Sequence, residues 1–471
     1  MPRASLPSTE PKHRRSVPLR SCVLALVIGA LSSCEHRQTD RRTRVEFWTL
    51  ALSPFFDEYI QERIATFERE NPSIDVVWVD VPYDALDRKL VASAAAGRAP
   101  DVVNVADLNF ARYVALGAFQ DLSQLTPGDP REQYLQSALA LCTISGNDAS
   151  KVDPPGARAT PVMRTMGLPW YVAPQVSIIN VELLARGGLT MTDLDGTWRG
   201  LMQRAREFHN KTGAFLFSQP LGEESQLPIM MLADGFVPLR EREGELRASL
   251  QTPEIIAFLR EWVDLYRSGA LPRAAATTGH SHLTEMFQRG QLATIVTGPN
   301  FLKRIRDAAP SMYQRVKVMP GMTGTLGRNH MPVMVLGVMN TSRSPREAAS
   351  LAWFMTGPES QTAFCKIVPI MPSSKASLED PFFAPSGGGE LIERARALTA
   401  ASLPNAVAFT AALEAWPDMR RAFQEQMKRV LTDGADLEEA MSRVEKEWDE
   451  LLAASSPATL DAVPRPAPLD R

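Results

Sequence analysis

Three tryptophans sit where a flat ring could face a cleft rather than a core. Trp48 ends a short apolar run, Trp170-Tyr171 follows Leu168-Pro169 in a segment broken by prolines, and Trp416 precedes Pro417. Side chains with planar amide or carboxylate groups stand at comparable places: Asn104, Asp107, Asn109, Gln175, Asn180 and Asn300. Sugars present apolar C–H faces ringed by hydroxyls, so aromatic platforms beside amides and carboxylates suit them. Each polar residue alone is equally well explained as a turn or cap. Their grouping is what points to a ligand. Trp78, Trp198, Trp262, Trp353 and Trp448 read instead as core packing.

Groups for covalent or metal chemistry are sparse. The chain has no GxSxG elbow, P-loop, HExxH or CxxC. His280 and His282, with Glu285 nearby, read as solvated loop histidines. Glu223-Glu224 and Asp193/Asp195 read as surface charge, because a glycosidase needs a carboxylate separation in space that chain neighbours do not report. No catalytic residue, metal or cofactor is expected. A net charge of −3 with scattered lysines and arginines gives no basic patch for nucleic acid.

Cys34 is the other reactive group. A basic cluster (Lys12, His13, Arg14, Arg15, Arg20) precedes an apolar run from Cys22 to Leu31, and Leu31-Ser32-Ser33-Cys34 closes it. That order is a secretory signal rather than a membrane span, and its last four residues look like a bacterial lipobox. Residues 1–33 are expected to be a lipoprotein signal peptide, Cys34 the lipidated first residue of the mature chain, and 34–44 a tether. Lipid would then hold a soluble domain at the membrane. Cys142 and Cys365 read as unpaired, buried thiols.

The elements that would position the cleft residues follow from periodicity. Residues 45–48, 74–81 and 101–105 read as strands; Phe56, Ile60, Ile64 and Phe67 recur at helical spacing after Ser53-Pro54, and 85–96 is a second helix ending at Gly97. A βαβαβ run implies a parallel sheet with ligands beyond the carboxyl ends of its strands. A Pro/Gly-rich stretch, 147–161, marks a loop. Further on, 163–180 reads as strands with a bend at Gly167, Pro169 and Pro174. Helices are expected over 253–268, 344–355 and 436–453, strands over 292–296 and 333–339, and a disordered tail over 454–471.

The motifs Val45-Glu-Phe-Trp48, Phe67-Glu-Arg-Glu-Asn-Pro72, Gly97-Arg-Ala-Pro-Asp-Val-Val103, Gly167-Leu-Pro-Trp-Tyr171 running to Asn180, Thr297-Gly-Pro299 and the helix pattern 348–361 stand in a definite order. In that order the chain resembles the extracellular solute-binding proteins of ABC importers, in their maltose-binding-protein-like sugar group. The resemblance covers residues 45–453. It implies an α/β, two-lobed, type II periplasmic-binding-protein fold with a hinge of crossing strands. It places 45–168 and 292–340 in the N-terminal lobe and 169–291 and 341–453 in the C-terminal lobe, with crossings near 163–170, 292 and 340. It carries ligand-binding roles to Trp48, Asn104, Asp107, Trp170, Tyr171, Gly298 and Asn300, beside Gln175 and Trp416 read from position. Ile179 before Asn180 and Asn300 after Gly-Pro depart from the family's usual aromatics. The expected partners are a small carbohydrate and permease subunits, with the chain a monomer. A receptor for a polyol phosphate or another polar metabolite is the alternative, and an exported glycan-processing enzyme or sensor subunit a further one.

The leader yields one direct expectation. Cys34→Ala should move the protein from the membrane pellet to the soluble fraction, and retention after a high-salt wash would refute lipidation.

Overall fold

The structure, a computed structural model, describes residues 42–54, 56–82, 85–146, 162–384, 389–409, 413 and 415–455. The signal segment with Cys34, the 147–161 loop and residues 456–471 of the expected tail lie outside the described residues.

The chain opens as its hydropathy predicts. Strand β1 (Thr43–Leu50) buries Val45 and Phe47. The helix Asp57–Glu70 then turns Tyr59, Ile60 and Phe67 inward and stops where the Asn71 amide donates to the Phe67 carbonyl at 3.0 Å, just before Pro72. Ser53-Pro54, whose types suit a helix cap and first turn, does not open this helix, which starts at Asp57 after Phe56. The Asp80 carboxylate accepts from the Leu52 and Ser53 amides instead, at 3.0 and 3.1 Å, so the loop is tied to the next strand and the helix starts later. Strand β2 (Ile74–Val81) lies parallel to β1, the helix Leu86–Ala95 ends at Gly97 with φ +64°, and β3 (Val102–Ala106) lies parallel on the other flank of β1.

Strands β4 (Thr143–Gly146) and β5 (Val162–Thr165) pair with each other, and β6 (Leu168–Val172) joins the main sheet. Pro169 has no N–H to donate, and the pairing across β6 shifts register opposite it. Strand β7 (Val176–Asn180) starts a second sheet. All five of its residues are buried, because Val176 and Ile178 pack on one side and Ile179 on the other. Strands β8 (Leu239–Arg242) and β9 (Glu245–Ala248) form a hairpin; β10 (Thr294–Thr297) and β11 (Val316–Pro320) flank β7 antiparallel. Strand β12 (Asn329–His330) follows, and β13 (Val333–Val338) returns to the main sheet between β3 and β6. With β14 (Met371–Pro372) the main sheet has the order β14-β6-β13-β3-β1-β2. Strand β15 (Ala406–Val407) pairs parallel with β12.

Two bodies of core result. The main sheet packs with the helices Asp57–Glu70, Pro345–Met355 and Pro358–Ile367 around Phe47, Trp170 and Phe364. The small sheet is covered on one face by Trp198–Thr212, Leu227–Ala233, Pro253–Arg267, Trp416–Thr432 and Leu437–Ala454, and on the other by His280–Gln288 and Phe301–Ala308. Cys142 and Cys365 are both free and fully buried in the first body, where loss of solvation pushes each thiol's pKa well up.

The expected segmentation needs correction. Leu292 is no crossing, since β10 pairs with β7 and stays in the small sheet. Asn340 is none either, because its backbone N–H bonds Ala118 beside the main sheet. The segment 292–340 is divided between the two sheets. The helices over 345–367, expected in the C-terminal lobe, lie in the first body because the small apolar face Ala348, Ala349, Ala352 and Met355 packs on β13 and β1. The chain passes between bodies at 173–175, at 321–332, and again around β15.

Trp448 is fully buried, donates its indole N–H to the Met419 carbonyl at 2.6 Å and meets Trp416 edge-on at 5.9 Å. Trp448→Ala should therefore cost about 3–5 kcal/mol in denaturant melts, as a large cavity opens and the carbonyl loses its partner. A loss under about 1 kcal/mol would contradict this packing.

Candidate functional site

Most of the aromatics expected at a ligand are in the core. Trp170 has no exposed surface; it stacks on Phe364 with centroids 5.0 Å apart and touches Phe47 at 6.3 Å, so neither face is open. Trp416 is 1% exposed and is spent on Trp448. Trp48 is 3% exposed, gives its N–H to Glu46 at 2.7 Å and carries the Lys89 ammonium 4.5 Å above its ring, which places it under the helix Leu86–Ala95. Tyr171 is half-buried against Phe364. A strand end marks where the backbone opens, and says nothing about which helix later covers the ring.

The polar candidates scatter as well. Asn104 is buried mid-strand, and its amide N reaches the Val335 carbonyl at 3.4 Å. Asp107 opens the helix Asp107–Ala115, which packs against Trp416–Thr432. Asn180 caps the helix Val181–Arg186 by accepting from Leu183 at 3.1 Å. Gly298 accepts from the Phe301 amide, and Asn300 is exposed at the start of that helix. His280 and His282 are not in a loop but in the first turn of a helix; His280 lies 3.1 Å from the Thr297 hydroxyl, and its backbone N–H donates to Glu224. Among the described residues no group of three His, Cys, Asp or Glu side chains could hold a metal.

Of the expected residues, Gln175 lines a cleft at the junction of the crossing segments with the second body. Its walls are Gln175, Met322, Arg328 and His330 from the crossings, Trp198 and Gln219, and Gln226, Ile229, Met230 and Ala233 around the helix Leu227–Ala233. The space is about 390 Å³, counting its open mouth. Trp198 is the first residue of its helix. Thr197 caps that helix by accepting from Gly200 at 3.0 Å, and the Asp195 carboxylate fixes Thr197 at 2.9 Å. Trp198 leans on Phe217 and Trp262 at 6.1 and 6.3 Å and offers its remaining surface to the cleft.

His330 sits on β12, its ring stacked on Phe409 at 6.2 Å. Its Nδ1 is buried without a hydrogen-bond partner. Burial, and next the Arg420 guanidinium, hold its pKa down at about 4. The cleft thus offers an indole face, three amides, a guanidinium and a neutral imidazole over an apolar floor. Those groups hydrogen-bond and stack. None of the wall residues pairs a nucleophile with a base.

Trp198, Gln219, Gln226, Arg328 and His330 were not expected here. For Trp198 the signal was slight: it follows Thr197 at a helix start, and it stands on the same stripe as Leu201, Ala205 and Phe208, which reads as core. Arg328 and His330 carry no local signal, because only the pairing of β12 with β15 brings them in.

Residues 62–387 match the family profile of bacterial extracellular solute-binding proteins. The chain belongs to that family. Its fold is the two-lobed type II fold of periplasmic sugar-binding proteins, as solved structures show. A candidate oligosaccharide periplasmic-binding protein from Synechococcus sp. MITs9220 superposes with a TM-score of 0.75 at 27% identity, over 87% of this chain and 99% of that one. The sugar-binding protein MalE of Xanthomonas citri gives 0.69 at 20%, over 88% and 98%. The GacH receptor of Streptomyces glaucescens, solved unliganded and with acarbose, gives 0.67 at 20%, over 88% and 100%. In sequence, an uncharacterized lipoprotein in the oleD 5′ region of Streptomyces antibioticus is 21% identical over 366 residues, 76% of this chain and 77% of that protein.

The depressed pKa of His330 makes stability depend on pH. Its ordinary value is 6.5 and its folded value about 4, so the unfolded chain takes up the proton first. Stability is full above about pH 6.5 and falls by up to about 3 kcal/mol as pH drops toward 4. His330→Gln should flatten that slope in denaturant melts; an unchanged slope would mean the imidazole is protonated in the folded protein.

Proposed function

We propose that this chain is a lipid-anchored, non-catalytic receptor that captures a sugar in the Trp198 cleft and delivers it to an ABC permease, acting as a monomer. The single observation carrying this is the cleft itself: an indole ringed by Gln175, Gln219 and Gln226 at the place where the chain passes between bodies. An indole face suits the C–H face of a pyranose, and amides both donate to and accept from its hydroxyls. The acarbose complex of the GacH receptor and the sugar-binding MalE are consistent with it. The relative named a lipoprotein fits the lipobox at Cys34. A glycosidase would need two carboxylates across the cleft, and the described residues lining it include none.

In this reading residues 43–172 with 333–383 form one lobe, and 176–320 with 416–455 the other. A ligand would favour closure only by touching both, since it shifts the equilibrium by its differential affinity for the closed state. Cognate sugar should raise the melting temperature, shrink the radius of gyration in small-angle scattering, and leave the solution unchanged chemically. Trp198→Ala should weaken binding by about 1–3 kcal/mol in calorimetric titration. An undiminished affinity in that variant would move the site elsewhere, and product formation would make the protein an enzyme.

A further inference from the structure

Of the three amides on the Trp198 cleft, Gln219 is the one held ready. Gln226 spends its amide nitrogen on the Glu224 carbonyl at 3.1 Å, and Gln175 is half-buried on a crossing segment. Arg328, on the same lining, is already engaged within the protein. Gln219 is only 6% exposed, yet among the described residues its side-chain amide has no hydrogen-bond partner, and the surface it keeps is cleft wall. The backbone around it is fixed before any ligand arrives. Leu216, Phe217 and Leu221 are buried in the core of the second body, Phe215 bridges to Leu292, and the Leu221 amide donates to the Ala275 carbonyl at 2.8 Å. Pro220, next in the chain, confines Gln219 to extended backbone. A long polar side chain ordinarily keeps its rotamers and its surface; this one has given up most of its surface without receiving an internal hydrogen bond in return.

We propose that Gln219 is the specificity-determining residue of this cleft, and that the ligand is a saccharide presenting two adjacent free hydroxyls to it. The amide oxygen accepts from one hydroxyl and the amide nitrogen donates to its neighbour. The inference rests on the receptor reading above and deepens it, from a sugar in general to one with an unsubstituted vicinal pair. A carboxamide sets an acceptor and a donor side by side in one plane, and a vicinal diol, whose oxygens each donate and accept, matches it in either direction. Stacking on Trp198 discriminates little among sugars, because their C–H faces are alike in being apolar. Selection therefore falls to the amide: an analogue lacking one hydroxyl of the pair leaves half of a nearly buried group unpaired and is rejected.

Calorimetric titration of the full-length protein with D-glucose, D-galactose, D-mannose, maltose and cellobiose tests this, each responding sugar being compared with its monodeoxy analogues. Removing either of two neighbouring hydroxyls should lower affinity at least about tenfold. Gln219→Leu, close in size, should bind the parent sugar weakly and those two analogues no worse, so that the discrimination disappears. Gln219→Glu, which keeps an acceptor and loses the donor, should retain part of it. The readout is the ratio of parent to analogue affinity within each variant, which a loss of stability alone would not change. A Gln219→Leu variant that discriminates as the wild type does, or a wild type indifferent to every single deoxygenation, would overturn this inference and leave the receptor reading standing. Binding of none of these sugars would overturn both.

Discussion

The structure turns on a joint in which three separate pieces of chain are fastened side by side. Asn329 gives its amide to the Gln175 carbonyl at 3.0 Å, binding the second crossing to the first. The pairing of Asn329–His330 with Ala406–Val407 then binds the third. Gly321 lies so close that a Cβ there would sit 2.5 Å from the Gln175 carbonyl and 2.7 Å from the Asn329 amide. A buried backbone carbonyl must have a donor, and here the donor comes from another crossing rather than from a sheet neighbour. The same contact presents Gln175, Arg328 and His330 to one cleft.

That arrangement explains why the cleft is furnished with amides and an uncharged ring. His330, buried on its crossing segment, sits where an isolated charge is costly and a neutral hydrogen-bonding group is tolerated, whereas Arg328 on the same crossing brings a charge to the lining. His330 obeys this by remaining neutral beside Arg420. The helix Leu227–Ala233, with every residue buried, supplies the apolar floor and fixes it rigidly.

Local pattern made the first hundred residues legible. The run from β1 to β3 depends on neighbours in sequence: apolar alternation, the Asn71-Pro72 stop, the left-handed Gly97. Helices such as Pro253–Arg267 and Leu437–Ala454 emerged for the same reason, with a capped start and a continuous apolar face. Choice of partner was not legible. Nothing in the residues of β10 says that it joins β7, or in those of β13 that it inserts antiparallel between β3 and β6. The tryptophans failed in the same way: Phe364 closes over Trp170 from far along the chain, whereas Trp198, placed by a helix start and read as core, lines the cleft. The family resemblance identified the architecture correctly and misplaced the crossings, because motif order reports which elements exist and not which sheet takes them.

Both described cysteines lie sealed in the first body, and neither is bridged. The folded domain therefore owes nothing to oxidation, and its two thiols are protonated and out of reach of alkylating reagents under native conditions. A single cysteine introduced on the surface of the domain would be, among the described residues, the one site a maleimide dye finds, which makes the domain a natural chassis for an environment-sensitive optical reporter of its own ligand.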